Sequence, residues 1–231
     1  MILVLNLKKR GRNRQVRSQV ENMIHEHSVD LIFLQEAQSP RTSSEISFSG
    51  MEVVTSSTDL CVFARNGTEN TIKVVLSTPF AVTVLVGRTA FTNVHLSPYS
   101  SSERTQQLEI LREQLSNIFE DRHFVTGDFN LAPRSQDGMS NGRPSTWSGA
   151  KERKALASLM SALDLEDVLA KSPPEYTIVR EIGGNKITFR CDLLLAPASE
   201  TSKLSAKYIH STRTGPLSFT DHSGILADVR L

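Results

Sequence analysis

The stretch Phe124-Val-Thr-Gly-Asp-Phe-Asn-Leu131 constrains this chain more than any other. Phe124 and Val125 read as the end of a buried strand, and Gly127 permits a sharp turn where that strand stops. Asp128 and Asn130 stand two apart, so extended backbone puts both side chains on one side and sends Phe129 into the core. A carboxylate and an amide oxygen leaving the carboxyl end of a strand together suit a hard cation and a charged substrate. Gly, Asp and Asn are also ordinary turn residues, and taken alone the stretch fits a polar turn equally well. The case for a site rests on what recurs elsewhere.

The same design recurs along the chain. Met1 to Leu5 reads as a buried strand ending at Asn6, and Asp30 to Glu36 as a second with Glu36 at its carboxyl end. Thr89 to His95 closes on His95. Asp192 interrupts an apolar run, between Ile187-Thr-Phe189 and Leu193-Leu-Leu195, where an unpartnered charge is costly to desolvate. A histidine is the expected partner, since Asp–His pairing fixes the tautomer and raises imidazole basicity. His222, after Thr220-Asp221 and before a final strand at Ile225 to Leu231, is assigned that part.

Arg14 to His27 carries Val16, Val20, Met23 and Ile24 at helical spacing. A second helix, capped by Ser102, has Leu108, Leu111, Leu115, Ile118 and Phe119 as its stripe. Lys151 to Leu163 is a third. A polar loop is expected from Ala37 to Gly50. Short segments at Met51 to Val54, Leu60 to Arg65, Thr71 to Leu76, Phe80 to Val86 and Thr89 to His95 read as an antiparallel meander, with Asn66-Gly67 as a hairpin turn. Tyr176 to Arg180 and Lys186 to Leu195 are expected to pair across Gly183-Gly184, and Tyr208 to His210 is a short strand. Helices separate the strand blocks in both halves, which predicts two packed sheets flanked by helices.

With 231 residues, 39% hydrophobic, the chain is read as one domain over 1–231. A net charge of +1 announces no global attraction to polyanions. Yet Lys8, Lys9, Arg10, Arg12, Arg14 and Arg17 fall within ten residues and form a local cationic lip directly after Asn6. Two cysteines, Cys61 and Cys191, make no disulfide framework and lack His-x-x-His spacing, which disfavours zinc. The apolar start precedes its basic run, the reverse of a secretory signal, and no run reaches membrane-spanning length. No signal peptide, no membrane contact, and a cytoplasmic location (nuclear in a eukaryote) are expected.

Leu5-Asn6, Leu34-Gln35-Glu36, Asn93-Val-His95, Gly127-Asp-Phe-Asn130, Phe189-Arg-Cys-Asp192 and Thr220-Asp-His222, in that order, resemble the endonuclease/exonuclease/phosphatase superfamily, over residues 3 to 229. The resemblance implies a four-layered α/β sandwich of the DNase I-like kind, two facing mixed sheets with helices outside and the site at one rim. It implies that Glu36 binds Mg²⁺ or Mn²⁺ with Asn6 and Asp221 beside it. Asp128 and Asn130 would orient the attacking water and hold the scissile phosphate. His222, paired to Asp192, would act as base or phosphate-stabilising partner, and His95 would neutralise developing charge or protonate the leaving group. The chemistry asks for the same parts: a phosphodiester is anionic, so its hydrolysis needs a cation on the phosphorus oxygens and a positioned base.

Two departures bear on substrate. His95 stands where exonuclease III-like abasic-site enzymes usually have Tyr; Asn93-Val-His-Leu96 resembles the Thr-His-Leu type of DNase I-like nucleases, deadenylases and lipid phosphodiesterases. Lys8 stands where an Asp or Asn is frequent, which implies fewer carboxylates on the metal side. Substrate contacts are expected from Arg10 and Arg12 of the lip, from Arg134 with Arg143, and from Phe189 as a ring lining the pocket. Trp147 is read as a stacking residue, a rim closure or core packing. Tyr99 and Arg104 are given only a helix cap, and His25, His27, His123 and His210 no role. The reading is a monomeric Mg²⁺-dependent phosphodiesterase of nucleic acid, DNA above RNA. A phosphatase or phosphodiesterase of small or lipid phosphoesters, a deadenylase-like RNase and a silent binding module are the rivals.

Overall fold

The computed structural model of the chain describes residues 1–37, 46–56, 59–68, 71–118, 122–216 and 218–229. In chain order the strands are β1 (Ile2–Asn6), β2 (Leu31–Gln35), β3 (Met51–Ser56), β4 (Leu60–Arg65), β5 (Ile72–Ser77), β6 (Ala81–Val86), β7 (Thr89–His95) and β8 (Arg122–Asp128). Then follow β9 (Gly138–Ser140), β10 (Arg143–Pro144), β11 (Leu165–Asp167), β12 (Ile178–Ile182), β13 (Asn185–Phe189), β14 (Asp192–Pro197), β15 (Ser205–Ile209) and β16 (Gly224–Asp228). The helices are α1 (Arg14–Glu26), α2 (Ser101–Ser116) and α3 (Ala150–Ala162).

One sheet runs β15-β16-β1-β2-β4-β3, and the second runs β11-β14-β8-β7-β6-β5. Both are mixed, because β1 and β2 are parallel, as are β7 and β8, while their other neighbours are antiparallel. The sheets face each other over a core in which Val4, Phe33, Phe91, Phe124 and Leu194 are buried. Phe91 stacks on Phe124 at 5.1 Å and on Phe33 at 6.0 Å between ring centroids, so the aromatic column crosses from sheet to sheet. Burying each such side chain contributes about 1.5–3 kcal/mol. The stripe Val16, Val20 and Ile24 lays α1 on the outer face of the first sheet, against Leu3, Ile32 and Leu34. Leu108, Leu111 and Leu115 of α2 and Leu156 and Leu159 of α3 cover the second sheet at Val125, Leu193 and Leu195. This is the expected four-layered sandwich. No helix among the described residues is long and apolar enough to cross a membrane.

Four local expectations are corrected. The meander is split: β3 and β4 belong to the first sheet and β5 to β7 to the second. Asn66-Gly67 therefore opens a crossover between sheets, not a hairpin, because β4 and β5 belong to different sheets that face each other across the core. The run from Lys186 to Leu195 is two strands. β13 ends at Phe189 in a third sheet, ordered β10-β9-β13-β12, and β14 begins at Asp192 in the second. Asp192 thus starts a strand instead of interrupting one. Finally, α2 is capped by Ser100, whose hydroxyl accepts from the Glu103 amide at 3.3 Å, so the helix starts before Ser102. Residues 38–45 of the expected polar loop, Phe119 and Leu231 lie outside the described residues.

Candidate active site

Strand register delivers the polar residues to one rim. Asn6 lies beside Gln35 across β1 and β2, so both strands end together and Glu36 follows at once. His95 pairs with Asp128 across β7 and β8, and Asp128 pairs with Asp192 across β8 and β14. His222 comes two residues before β16 and bridges Ile178 at the start of β12. Gly127 is required at its position. Its φ is +128°, and a Cβ there would lie 2.2 Å from the Val94 carbonyl oxygen. Glu36 and Asn130 also hold left-handed backbone, φ 44° and 48°, the kind of local strain that clusters at functional sites.

The two sheets are stitched together here by side chains. Asn6 Nδ2 donates to Asp128 Oδ2 at 3.0 Å and to Glu36 Oε1 at 3.2 Å, while its Oδ1 accepts from the Lys8 amide at 2.9 Å. Asn6, expected beside the cation with Glu36, thus joins the two carboxylates through its nitrogen; neighbouring anions need a donor or a cation between them. Below it Gln35 Nε2 donates to Asn93 Oδ1 at 2.5 Å, again from sheet to sheet.

His222 Nδ1 lies 3.0 Å from both carboxylate oxygens of Asp192. That pairing makes Nδ1 the donor and leaves Nε2 toward Asp128 Oδ2 at 3.8 Å and Asp221 Oδ1 at 3.9 Å. Burial works to lower the imidazole's pKa, but the charges of Asp192 and Asp128 outweigh it and the pKa is pushed up to about 9. Burial holds the carboxyl of Asp128 above the ordinary range. Asn130 donates its amide N–H to Asp128 Oδ1 at 2.9 Å and its Nδ2 to the Leu96 carbonyl at 2.9 Å, which locks the turn after β8.

Ligand atoms of Glu36, His95 and Asp128 lie within 4.8 Å of one another. His95 Nε2 is 3.8 Å from Glu36 Oε1, and it and Asp221 Oδ1 are buried without a hydrogen-bond partner among the described residues. Orphaned polar atoms around a carboxylate cluster are costly unless a further group takes them up. Carboxylate oxygens with one imidazole fit a hard divalent cation such as Mg²⁺ or Mn²⁺. Asp128, Cys191 and His222 also come together, and burial with the neighbouring carboxylates raises the Cys191 thiol well above its usual range.

The cationic groups are placed differently from expectation. Asp221 Oδ2 receives Lys8 Nζ at 2.6 Å and also pairs with Arg180. Burial would raise this carboxyl, but Lys8, the His222 imidazolium and Arg180 together hold it below the ordinary range. Arg10 Nη1 donates to the Phe219 carbonyl at 3.3 Å, and Arg12 is half-buried. Arg134 is committed to Asp137, at 2.9 and 2.8 Å, and to the Lys171 carbonyl at 2.8 Å, so it braces a turn instead of standing ready for phosphate. Phe189 is partly buried over Gly138, where a Cβ would lie 2.6 Å from its ring.

One supporting group escaped the sequence reading. Arg104 is buried, donates to Glu152 at 2.7 Å and to the Ser97 and Trp147 carbonyls, and lies 5.4 Å over the Trp147 ring. Trp147 Nε1 in turn donates to the Asn130 carbonyl at 3.3 Å. The signal was present: Arg104 stands in helical phase with Leu108 and Leu111, and Glu152 with Leu156 and Leu159, charges on apolar stripes.

Residues 4–154 match the endonuclease/exonuclease/phosphatase family. No curated protein matches the chain. Among solved structures, an AP endonuclease from Archaeoglobus fulgidus is similar with a TM-score of 0.78 and 20% identity, over 100% of this chain and 99% of that one. A 3′ phosphatase from Neisseria bound to product DNA hairpin gives 0.72 and 19% over 100% and 99%. The AP endonuclease LMAP from Leishmania major gives 0.74 and 12% over 97% and 85%. These identities carry the fold, and the matched span, over half the chain, carries the assignment: the chain belongs to the endonuclease/exonuclease/phosphatase family.

Proposed function

We propose that the protein is a monomeric, divalent-metal-dependent phosphodiesterase that hydrolyses nucleic-acid phosphodiester bonds, with DNA as its substrate. The observation that carries this reading is the linked rim: Asn6 joins Glu36 to Asp128, and His222 sits between Asp192 and Asp128. The solved neighbours include an AP endonuclease and a 3′ phosphatase bound to product DNA hairpin, which supports DNA over RNA.

A cation held by Glu36, with His95 and Asp128 alongside, would neutralise charge on the phosphate oxygens. The other parts belong to the chain itself. Asp192 keeps His222 protonated at neutral pH, and Nε2 donates to a non-bridging phosphate oxygen. Asp128 orients the attacking water and accepts its proton, aided by a carboxyl pKa already raised by burial. His95 stabilises the leaving oxygen. Asn6 keeps the two carboxylates at fixed separation. Lys9 and Arg10, exposed beyond Asn6, meet the phosphates on either side and make binding salt-dependent.

The test is a panel with Mg²⁺: supercoiled DNA, single-stranded DNA, abasic duplex, a 3′-phosphorylated oligonucleotide, oligo-adenylate and inositol phosphates. DNA is expected to be cleaved, with activity abolished by chelation and reduced about 10²–10⁴-fold in His222→Ala. Glu36→Ala is expected to lose it as well. Cleavage of the inositol phosphates alone would overturn the substrate assignment.

A further inference from the structure

A cleft of about 260 Å³ opens beside Glu36 and His95, walled by Phe80, Pro98 and Tyr99. Tyr99 is 87% exposed, although an aromatic ring gains most from burial. Its backbone is nonetheless held. The Tyr99 amide donates to Ser97 Oγ at 3.3 Å, Ser97 Oγ donates to Glu103 Oε2 at 2.6 Å, and the Ser97 amide donates to Gln107 Oε1 at 2.8 Å. The loop is thereby pinned to α2, and a ring on a fixed stem stands in solvent at the mouth of the cleft.

Size and charge select the occupant. Sites for whole cofactors and drug-sized ligands run to about 300–1,000 Å³, so this smaller cleft suits a single planar ring system. Its charged lining is Glu36, at the end shared with the candidate cation, and Glu103 and Lys9 toward the mouth. The carboxylate of Glu103 and the amide oxygen of Gln107 are of the kind that accept hydrogen bonds from ring N–H and exocyclic amino groups.

Resting on the phosphodiesterase reading above, we propose that this cleft is a nucleobase subsite, which takes one unpaired base of the strand being cut and stacks it on Tyr99. A base reaches that ring only after leaving its own stack, so the subsite favours single-stranded or unpaired nucleotides over intact duplex.

The test uses a single-stranded oligonucleotide in which a baseless tetrahydrofuran residue replaces each position around the scissile bond in turn. Wild type, Tyr99→Ala and Tyr99→Phe are compared. At one position, loss of the base is expected to raise KM roughly 5- to 150-fold, the range of base–aromatic stacking. Tyr99→Ala raises KM equally on the intact strand and adds nothing on that baseless one, whereas Tyr99→Phe retains the wild-type value. No effect of Tyr99→Ala on the intact strand, or additive losses at every position, would overturn the subsite. Failure of wild type to cleave any nucleic acid is a separate result, and it removes the phosphodiesterase reading itself.

Discussion

Lys8 stands two residues after Asn6, and its ammonium closes on Asp221. With Arg180 on the same oxygen, Asp221 meets an incoming cation already matched in charge. Lys8→Ala should therefore tighten divalent-ion binding, and an exposed pair of this kind is worth about 1 kcal/mol, or roughly fivefold in affinity. Calorimetric titration with Mn²⁺ measures it; unchanged or weaker binding would place Asp221 outside the ion's reach. Asp192 acts through another residue. Asp192→Asn leaves the shape of the pair but removes the charge that keeps His222 protonated, and kcat is expected to fall about 10–100-fold with KM little changed. A loss confined to KM would assign Asp192 to substrate binding instead.

At the scale of elements, the strand ends and the hairpin across Gly183-Gly184 were legible, and the division of the strands between two sheets was not. Polar residues closing apolar runs are local signals, and they led to Glu36, His95, Asp128 and, through the Asp–His argument, to His222. Which strands pair depends on the face each one buries, which no local window contains. Asn66-Gly67 has hairpin chemistry, yet the strands it joins lie in different sheets. The Arg104–Glu152 pair was missed because each residue was judged alone, whereas the two meet only when α2 packs on α3. That pair fixes the loops bearing Ser97 and Trp147 on either side of Asn130. Glu152→Gln should destabilise the protein by about 3–5 kcal/mol, since it leaves a buried guanidinium without its counter-charge. Urea denaturation reports this, and a loss below about 1 kcal/mol would mean that the carbonyls of Ser97 and Trp147 suffice to hold Arg104.

For the molecule as a whole, the question is what attaches the small third sheet to the sandwich. Arg190 lies in the two-residue link between β13 and β14 and is fully buried. Its guanidinium donates to Asp137, just before β9, at 2.9 and 3.1 Å, and pairs with Asp167, at the end of β11, at 2.7 Å. One side chain thus ties the third sheet to the edge of the second. Burial would raise the Asp137 carboxyl, but Arg134 and Arg190 together hold it below the ordinary carboxylate range. A depressed carboxyl pKa contributes stability that is complete above the unfolded value, near 4, and is lost as pH falls below it through the folded value. The contribution of Asp137 should accordingly be complete from neutrality down to about pH 5 and be lost below pH 4. Asp137→Asn should cost about 3–5 kcal/mol at pH 7 and flatten that acid limb, because the group that titrates is gone. Denaturant midpoints measured from pH 7 to pH 3 on both proteins decide the matter: parallel acid limbs would show that the attachment of the third sheet does not depend on Asp137's charge.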